Sequence, residues 1–284
     1  MHPLLNGILN PKRVRLSTKE NLPALKNYRT ILPLITILAL CSIGDLSAQT
    51  KVPNLNNFDQ SPYHFGFQLG INKMFFTVET KQNFQEVTYV NNSNIDQIPD
   101  LTCDTAHLFG VLANPTYGFL IGIVSNLRLG EYFDLRFTPS LTFGERGLTY
   151  SIQNSEGSSE PTLDEVTKNI QSTFVDFPIW VRFKGERIHN VRPYVLAGAK
   201  YSLDLASNAK KKDNSTATHV FLDKHDVYGE IGVGFDFYNA VFKFGTELRM
   251  SYGLFDVLKH DKTIYTGGIE NLNSKIFQLV FTFE

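Results

Sequence analysis

Residues 132–144 read Tyr132-Phe133-Asp134-Leu135-Arg136-Phe137-Thr138-Pro139-Ser140-Leu141-Thr142-Phe143-Gly144. Phe133, Leu135, Phe137, Leu141 and Phe143 alternate with Asp134, Arg136, Thr138, Ser140 and Thr142. A period of two puts the two sets on opposite faces of an extended strand. One face is aromatic and aliphatic, while the other carries opposite charges and hydroxyls.

The same pattern recurs on both sides of this run. His64 to Val78 sets Phe65, Phe67, Leu69 and Ile71 against Gly66, Gln68, Gly70 and Asn72. Further alternating segments are Tyr117–Leu129, Thr173–Lys184, Arg192–Asp204, Val227–Phe237, Phe242–Tyr252 and Lys275–Phe283, which makes eight strands. They are longer than the five or six residues usual in globular sheets.

The connections define the architecture. Short links at Gly130-Glu131, Gly185 to Val191 and Tyr238-Asn239 alternate with long polar ones at about 79–116, 145–172, 205–225 and 253–273. Long strands with an apolar exterior and unequal ends are features of an outer-membrane barrel. An open edge in lipid would leave amides unpaired, so the strands must close. A lipocalin-like cup is the soluble alternative, but it puts its apolar face inward, and here the charges lie on the small, glycine-rich face. The fold class is therefore all-β: an eight-stranded antiparallel transmembrane β-barrel of the outer-membrane type.

Composition agrees. Charged residues make up 19% and aromatics 13% of the 284 residues, with 23 Phe. The 27 basic and 28 acidic side chains nearly cancel, which disfavours nucleic acid as a partner. Two cysteines, Cys41 and Cys103, cannot build a disulfide framework or a four-ligand metal site. No metal or other cofactor is expected.

Lys26 and Arg29 precede the apolar run 30–44, and Leu46-Ser47-Ala48 forms a small-residue cleavage site. This is the layout of an export signal. Residues 1–25 are an N-terminal extension of uncertain status, 26–48 the signal peptide, 49–62 a periplasmic segment and 63–284 the barrel. An even strand number returns the C-terminus to the starting side, so both mature ends are expected in the periplasm. The connections around Cys103, Glu156, Lys211 and Lys262 then face the cell exterior, which would leave Cys103 open to thiol reagents.

The inward face carries Arg136, Arg182, Lys184, Arg192, Lys200, Lys243 and Arg249 against Asp134, Asp176, Asp204, Glu230, Asp236 and Glu247. A balanced set in so narrow a bore suits an ion-pair plug better than a selective pore. Trp180, Tyr194 and Tyr228 are placed to fill the remaining width opposite glycines. Lys210, Lys211 and Lys212 lie at a loop tip where they could meet lipid phosphates. Leu163, Val166 and Ile170 recur at helical spacing and predict a short amphipathic helix. Asp223, His225 and Asp226 could cluster at one strand mouth. Without a GxSxG elbow, an HExxH helix or Cys/His ligand spacing, the chain is not expected to be an enzyme. A small-solute porin and a lipid or peptide hydrolase are the competing readings.

Particular runs carry a family resemblance. His64-Phe65-Gly66-Phe67-Gln68-Leu69-Gly70-Ile71-Asn72, Pro115-Thr116-Tyr117-Gly118-Phe119 and Asn126-Leu127-Arg128-Leu129 leading to Asp134-Leu135-Arg136-Phe137 resemble the PorT family of Bacteroidota outer-membrane proteins. More specific is Arg192-Pro193-Tyr194-Val195-Leu196-Ala197-Gly198-Ala199-Lys200-Tyr201, continuing to Asp204-Leu205-Ala206-Ser207 and Lys210-Lys211-Lys212. The resemblance spans roughly 53–284. It implies a component of the type IX secretion system, which exports proteases and gliding adhesins, with other subunits of that system and membrane lipid as partners. It brings no catalytic residue or cofactor. Eight strands cannot pass a folded cargo, so the implied role is accessory to a larger translocon.

Overall fold

The computed structural model describes residues 54–92, 95–98, 101, 103–155, 161–207 and 220–284. The segment 26–48 expected to be a signal peptide, Cys41, Glu156 and Lys210 to Lys212 lie outside these. Strands run in order β1 (Tyr63–Thr80), β2 (Thr88–Asn92), β3 (Ile95–Asp96), β4 (Thr105–Arg128), β5 (Phe133–Phe137), β6 (Ser140–Ser155), β7 (Thr162–Lys184), β8 (Val191–Asp204), β9 (His225–Tyr238), β10 (Lys243–Gly253) and β11 (Ile269–Phe283). All pairings are antiparallel, and β1 joins both β4 and β11, so the sheet closes as a ring of 8 strands.

β5 and β6 together form one barrel strand. Phe137 pairs with Ser125 and Ser140 with Gly122, an equal step on both sides, so the phase set by Phe133 and Leu135 continues through Leu141. Pro139 has no N–H to give the ladder, which interrupts the strand without shifting it. β2 and β3 extend the sheet beside the far end of β4.

Three strands reach well past the lengths expected from sequence. β4 has 24 residues, β7 has 23, and β6 runs on to Ser155. Much of the long connections at 79–116 and 145–172 is therefore strand. The helix expected around Leu163, Val166 and Ile170 is absent: all three lie in β7, with Leu163 exposed and Ile170 buried. Pairing of Thr162 through Gln171 with β6 supplies hydrogen bonds that an isolated helical turn would lack.

Polarity reverses along these strands. Toward the short turns, the exterior is Phe65, Ile71, Ile123, Ile179, Val181 and Phe183, all exposed, and the interior is charged. On β7, Phe183 to Val175 covers about 20 Å along the membrane normal at about 3.3 Å per residue and a tilt of about 40°, close to the ~25 Å apolar band of such barrels. Beyond Thr173 the exterior turns polar, through Gln171, Asn169, Thr167 and Glu165. There the interior is a core built from Leu108, Leu148, Tyr150, Ile152, Ile170, Tyr265 and Leu272, with Val220, Val257 and Ile264 folded onto it. The far storey is ordered like a water-soluble protein, whereas the near one is ordered for lipid.

Cys103 belongs to that core at 8% exposure, contrary to the open loop expected from sequence. Its chain segment folds inward because Ile98 and Ala106 on either side are fully buried. Lys262 stays exposed.

At the short-turn end an aromatic belt rings the barrel. Phe67 stacks on Phe283 at 4.8 Å, Phe244 on Phe281 at 5.9 Å, and Phe133 lies 5.2 Å from Phe183. Such rings favour the interface between hydrocarbon and headgroups.

Candidate functional site

The candidate site is the bore itself. Strand alternation fixes which side chains enter it, and the eight-strand circumference brings opposite walls within side-chain reach. Asp134, Arg136, Asp176, Arg182, Lys200, Glu230, Asp236, Lys243, Glu247 and Arg249 are each at most 4% exposed, and all face inward.

They assemble in layers. Nearest the short turns, Lys184 Nζ donates to Asp134 at 2.6 Å, and Arg182 pairs with Asp236 while stacking on the Tyr194 ring at 3.7 Å. Lys243 lies 3.8 Å from Asp236 and 2.9 Å from Glu284. Arg136 binds Glu284 and meets Glu247 at 2.6 Å. Glu247 also accepts from Tyr194 at 2.7 Å and from Arg249 Nε at 2.6 Å, and Arg249 reaches Gln68 at 3.1 Å. Gly234 makes room for Tyr194, because a Cβ there would sit 2.6 Å from the ring.

Midway, Lys200 approaches Asp176 at 3.9 Å and Glu230 at 3.2 Å, and Ser251 donates to Glu230 at 2.5 Å. Thr142 donates to Asp176 at 2.7 Å. Arg146 forms the uppermost layer. It lies over Phe76 at 4.6 Å and Phe174 at 5.0 Å, donates to Ser274 at 2.5 Å and pairs with Asp204 at 3.3 Å. The apolar core begins above it.

Sequence reasoning placed Gln68 on the polar face but missed Arg146, Glu284 and Ser274. Arg146 fell in a stretch read as loop, although its spacing from Thr142 and Gly144 keeps the inward phase. Glu284 follows Phe283 and alternates inward in the same way; that period was the available signal.

The short-turn mouth is crossed by residues 54–62, which include the 3-10 turn Phe58–Gln60. Phe58 stacks on His64 at 4.0 Å, Tyr238 Oη donates to Asp59 at 2.8 Å, and Arg192 pairs with Asp59 at 3.1 Å. Asn54 is held by Asn190 at 2.8 Å. The trio Asp223, His225 and Asp226 does not converge. Asp223 pairs with Lys259 at 3.2 Å, His225 points outward to Tyr201 at 2.6 Å, and Asp226 is turned inward by alternation. Among the described residues no group of His, Cys, Asp or Glu is arranged to hold a metal ion, and no helix is long and apolar enough to cross a membrane.

No curated protein matches the chain. Among solved structures, the chain is similar to Neisserial surface protein A at 12% identity and a TM-score of 0.37, covering 78% of this chain and 98% of that one. It is also similar to the outer membrane protein OprG of Pseudomonas aeruginosa at 8% identity and a TM-score of 0.34, covering 79% and 97%. The model of the outer membrane protein beta-barrel domain matches residues 48–259. With most of the chain matched and the ring closed, this protein belongs to the outer membrane protein beta-barrel domain family.

Proposed function

We propose that the protein is a non-catalytic component of the type IX secretion system, acting in the outer membrane by contact rather than as a conduit. The observation that supports this most is the Arg136–Glu247 pair, which crosses the bore at 2.6 Å with both side chains fully buried. A passage for solutes needs an open cross-section and a charge bias, and this lumen has pairs in successive layers instead. The resemblance of residues 192–207 to the PorT family supplies the choice of machine.

In this reading the long-connection end faces the cell exterior, and both mature termini and the short turns face the periplasm. The partners are outer-membrane lipid and other subunits of the secretion system. A deletion strain should lose secreted proteases and gliding adhesins from its surface and medium, and the wild-type gene should restore them. Pull-down from native outer membranes would identify the contacting subunit. Stable ion-selective steps in planar bilayers would replace this reading with a small porin, and turnover of lipid or peptide would replace it with a hydrolase.

A further inference from the structure

Two lysines face outward at one height on adjacent strands. On β1 the outward residues run Phe65, Phe67, Leu69, Ile71 and then Lys73, and on β11 they run Phe283, Phe281, Leu279, Phe277 and then Lys275. Each lysine therefore stands at the end of an apolar run that rises about 20 Å along the membrane normal, at about 3.3 Å per residue and a tilt of about 40°. That matches the apolar band on β7, so both ammonium groups reach the headgroup level at its far edge.

Lys73 pairs opposite Phe277 and Lys275 opposite Phe75, which makes the lysines diagonal neighbours with Cβ atoms about 7 Å apart. Lys73 Nζ lies 5.4 Å from the ring centre of Tyr117, and Lys275 Nζ lies 5.8 Å from that of Phe75 and 5.7 Å from that of Phe277. Among the described residues neither lysine has a carboxylate partner. The outward carboxylates Glu79 and Glu145 accept instead from the amides of Asn271 at 2.9 Å and Gln171 at 3.4 Å. Two like charges held this close at the edge of hydrocarbon repel, and one anion with several oxygens between them relieves both. Tyr117, 75% exposed, flanks the pair on β4, and Tyr252, opposite Lys275 on β10, flanks it on the other side.

We propose that Lys73 and Lys275 together bind a phosphorylated glycolipid, with a sugar phosphate between the two ammonium groups, the sugar against the tyrosine rings, and acyl chains descending over Ile71 and Leu279. This rests on the long connections facing the cell exterior, the side on which the outer membrane presents phosphorylated glycolipid.

The test is native mass spectrometry of the full barrel in detergent, with diphosphoryl lipid A, its dephosphorylated form and dioleoyl phosphatidylglycerol added in turn. The phosphorylated glycolipid should be retained best. Lys73→Gln and Lys275→Gln should each lower its retention about fivefold, the effect of one cation near an anionic leaflet, and leave the dephosphorylated form unchanged. Equal retention of the two glycolipid forms by the wild type, retention of phosphatidylglycerol as strong as that of diphosphoryl lipid A, or unchanged binding in the double variant overturns the proposal. If the variants fold poorly, the wild-type preference for the phosphorylated over the dephosphorylated form decides alone. Binding in detergent does not depend on orientation or on secretion, so a failure here is separate from a failure of the topology, which labelling of Lys262→Cys reports.

Discussion

Arg136 and Glu247 stand on strands half a ring apart, and their side chains meet at 2.6 Å across the full width of the barrel. Among the described residues no other ion pair spans half the ring. Glu247 is also the shared acceptor of Tyr194 and Arg249, so one carboxylate ties together three walls. Glu247→Ala should leave the buried Arg249 guanidinium without a carboxylate and take from Arg136 one of its two, at a cost of about 3–5 kcal/mol. Urea unfolding of the barrel in lipid vesicles measures it. Loss of less than about 1 kcal/mol would mean that solvent reaches the pair.

The outward phase of β11 gives a second test. Leu279 and Phe281 face lipid between Gln278 and Thr282, which are buried in the bore. Leu279→Arg should cost about 2–4 kcal/mol near the bilayer midplane, with Phe281→Arg less severe because it lies nearer the aromatic belt. Thr282→Ser should be mild. Heat-modifiable gel migration separates folded from unfolded protein, and equal folding of the three variants would show the strand phase to be inverted.

Cysteine labelling tests the topology and the buried position of Cys103 together. On intact cells, Cys103 should stay unmodified until the protein is denatured. In a Cys103→Ser background, Lys262→Cys should label and Asn239→Cys should not. Ready labelling of native Cys103 would contradict the apolar storey, and labelling at 239 but not 262 would turn the barrel over.

The two storeys should also fail separately. Leu148→Ala removes a fully buried side chain from the far core, with an expected cost of about 2–5 kcal/mol local to that end. Limited proteolysis should then cut within the β6–β7 extension while the heat-modifiable barrel persists. Loss of both at once would mean that the storeys unfold as one unit.

Near the short turns the fold was legible because side-chain period, charge and connection length all agreed. Asp134 to Phe143 and Val175 to Phe183 could be assigned to faces residue by residue, and the thirteen charged residues assigned from sequence to the inward face are all buried. The far storey was illegible for a physical reason. Leu148, Tyr150 and Ile152 also alternate, but with polar residues outward, so a search for greasy exteriors discards them as loop. The two irregularities in β4, at Leu108–Gly110 and Pro115–Phe119, also flip the phase and hide one continuous strand. Contacts across the ring, such as Arg136 with Glu284, depend on shear, which no local pattern encodes.

The reversal of polarity along β4, β6 and β7 fixes the protein's vertical position. Sinking by a few residues would bring Gln171 and Thr149 into oil and push Phe67 and Phe183 out on the short-turn side, and rising would lift Phe119 and Phe143 into water. The molecule therefore floats at one draught, like a weighted buoy, and its far rim keeps a constant height above the bilayer. Any neighbour that engages that rim has to stand off the membrane by the same distance, so the reach of the partner is already written into where the outward phenylalanines stop.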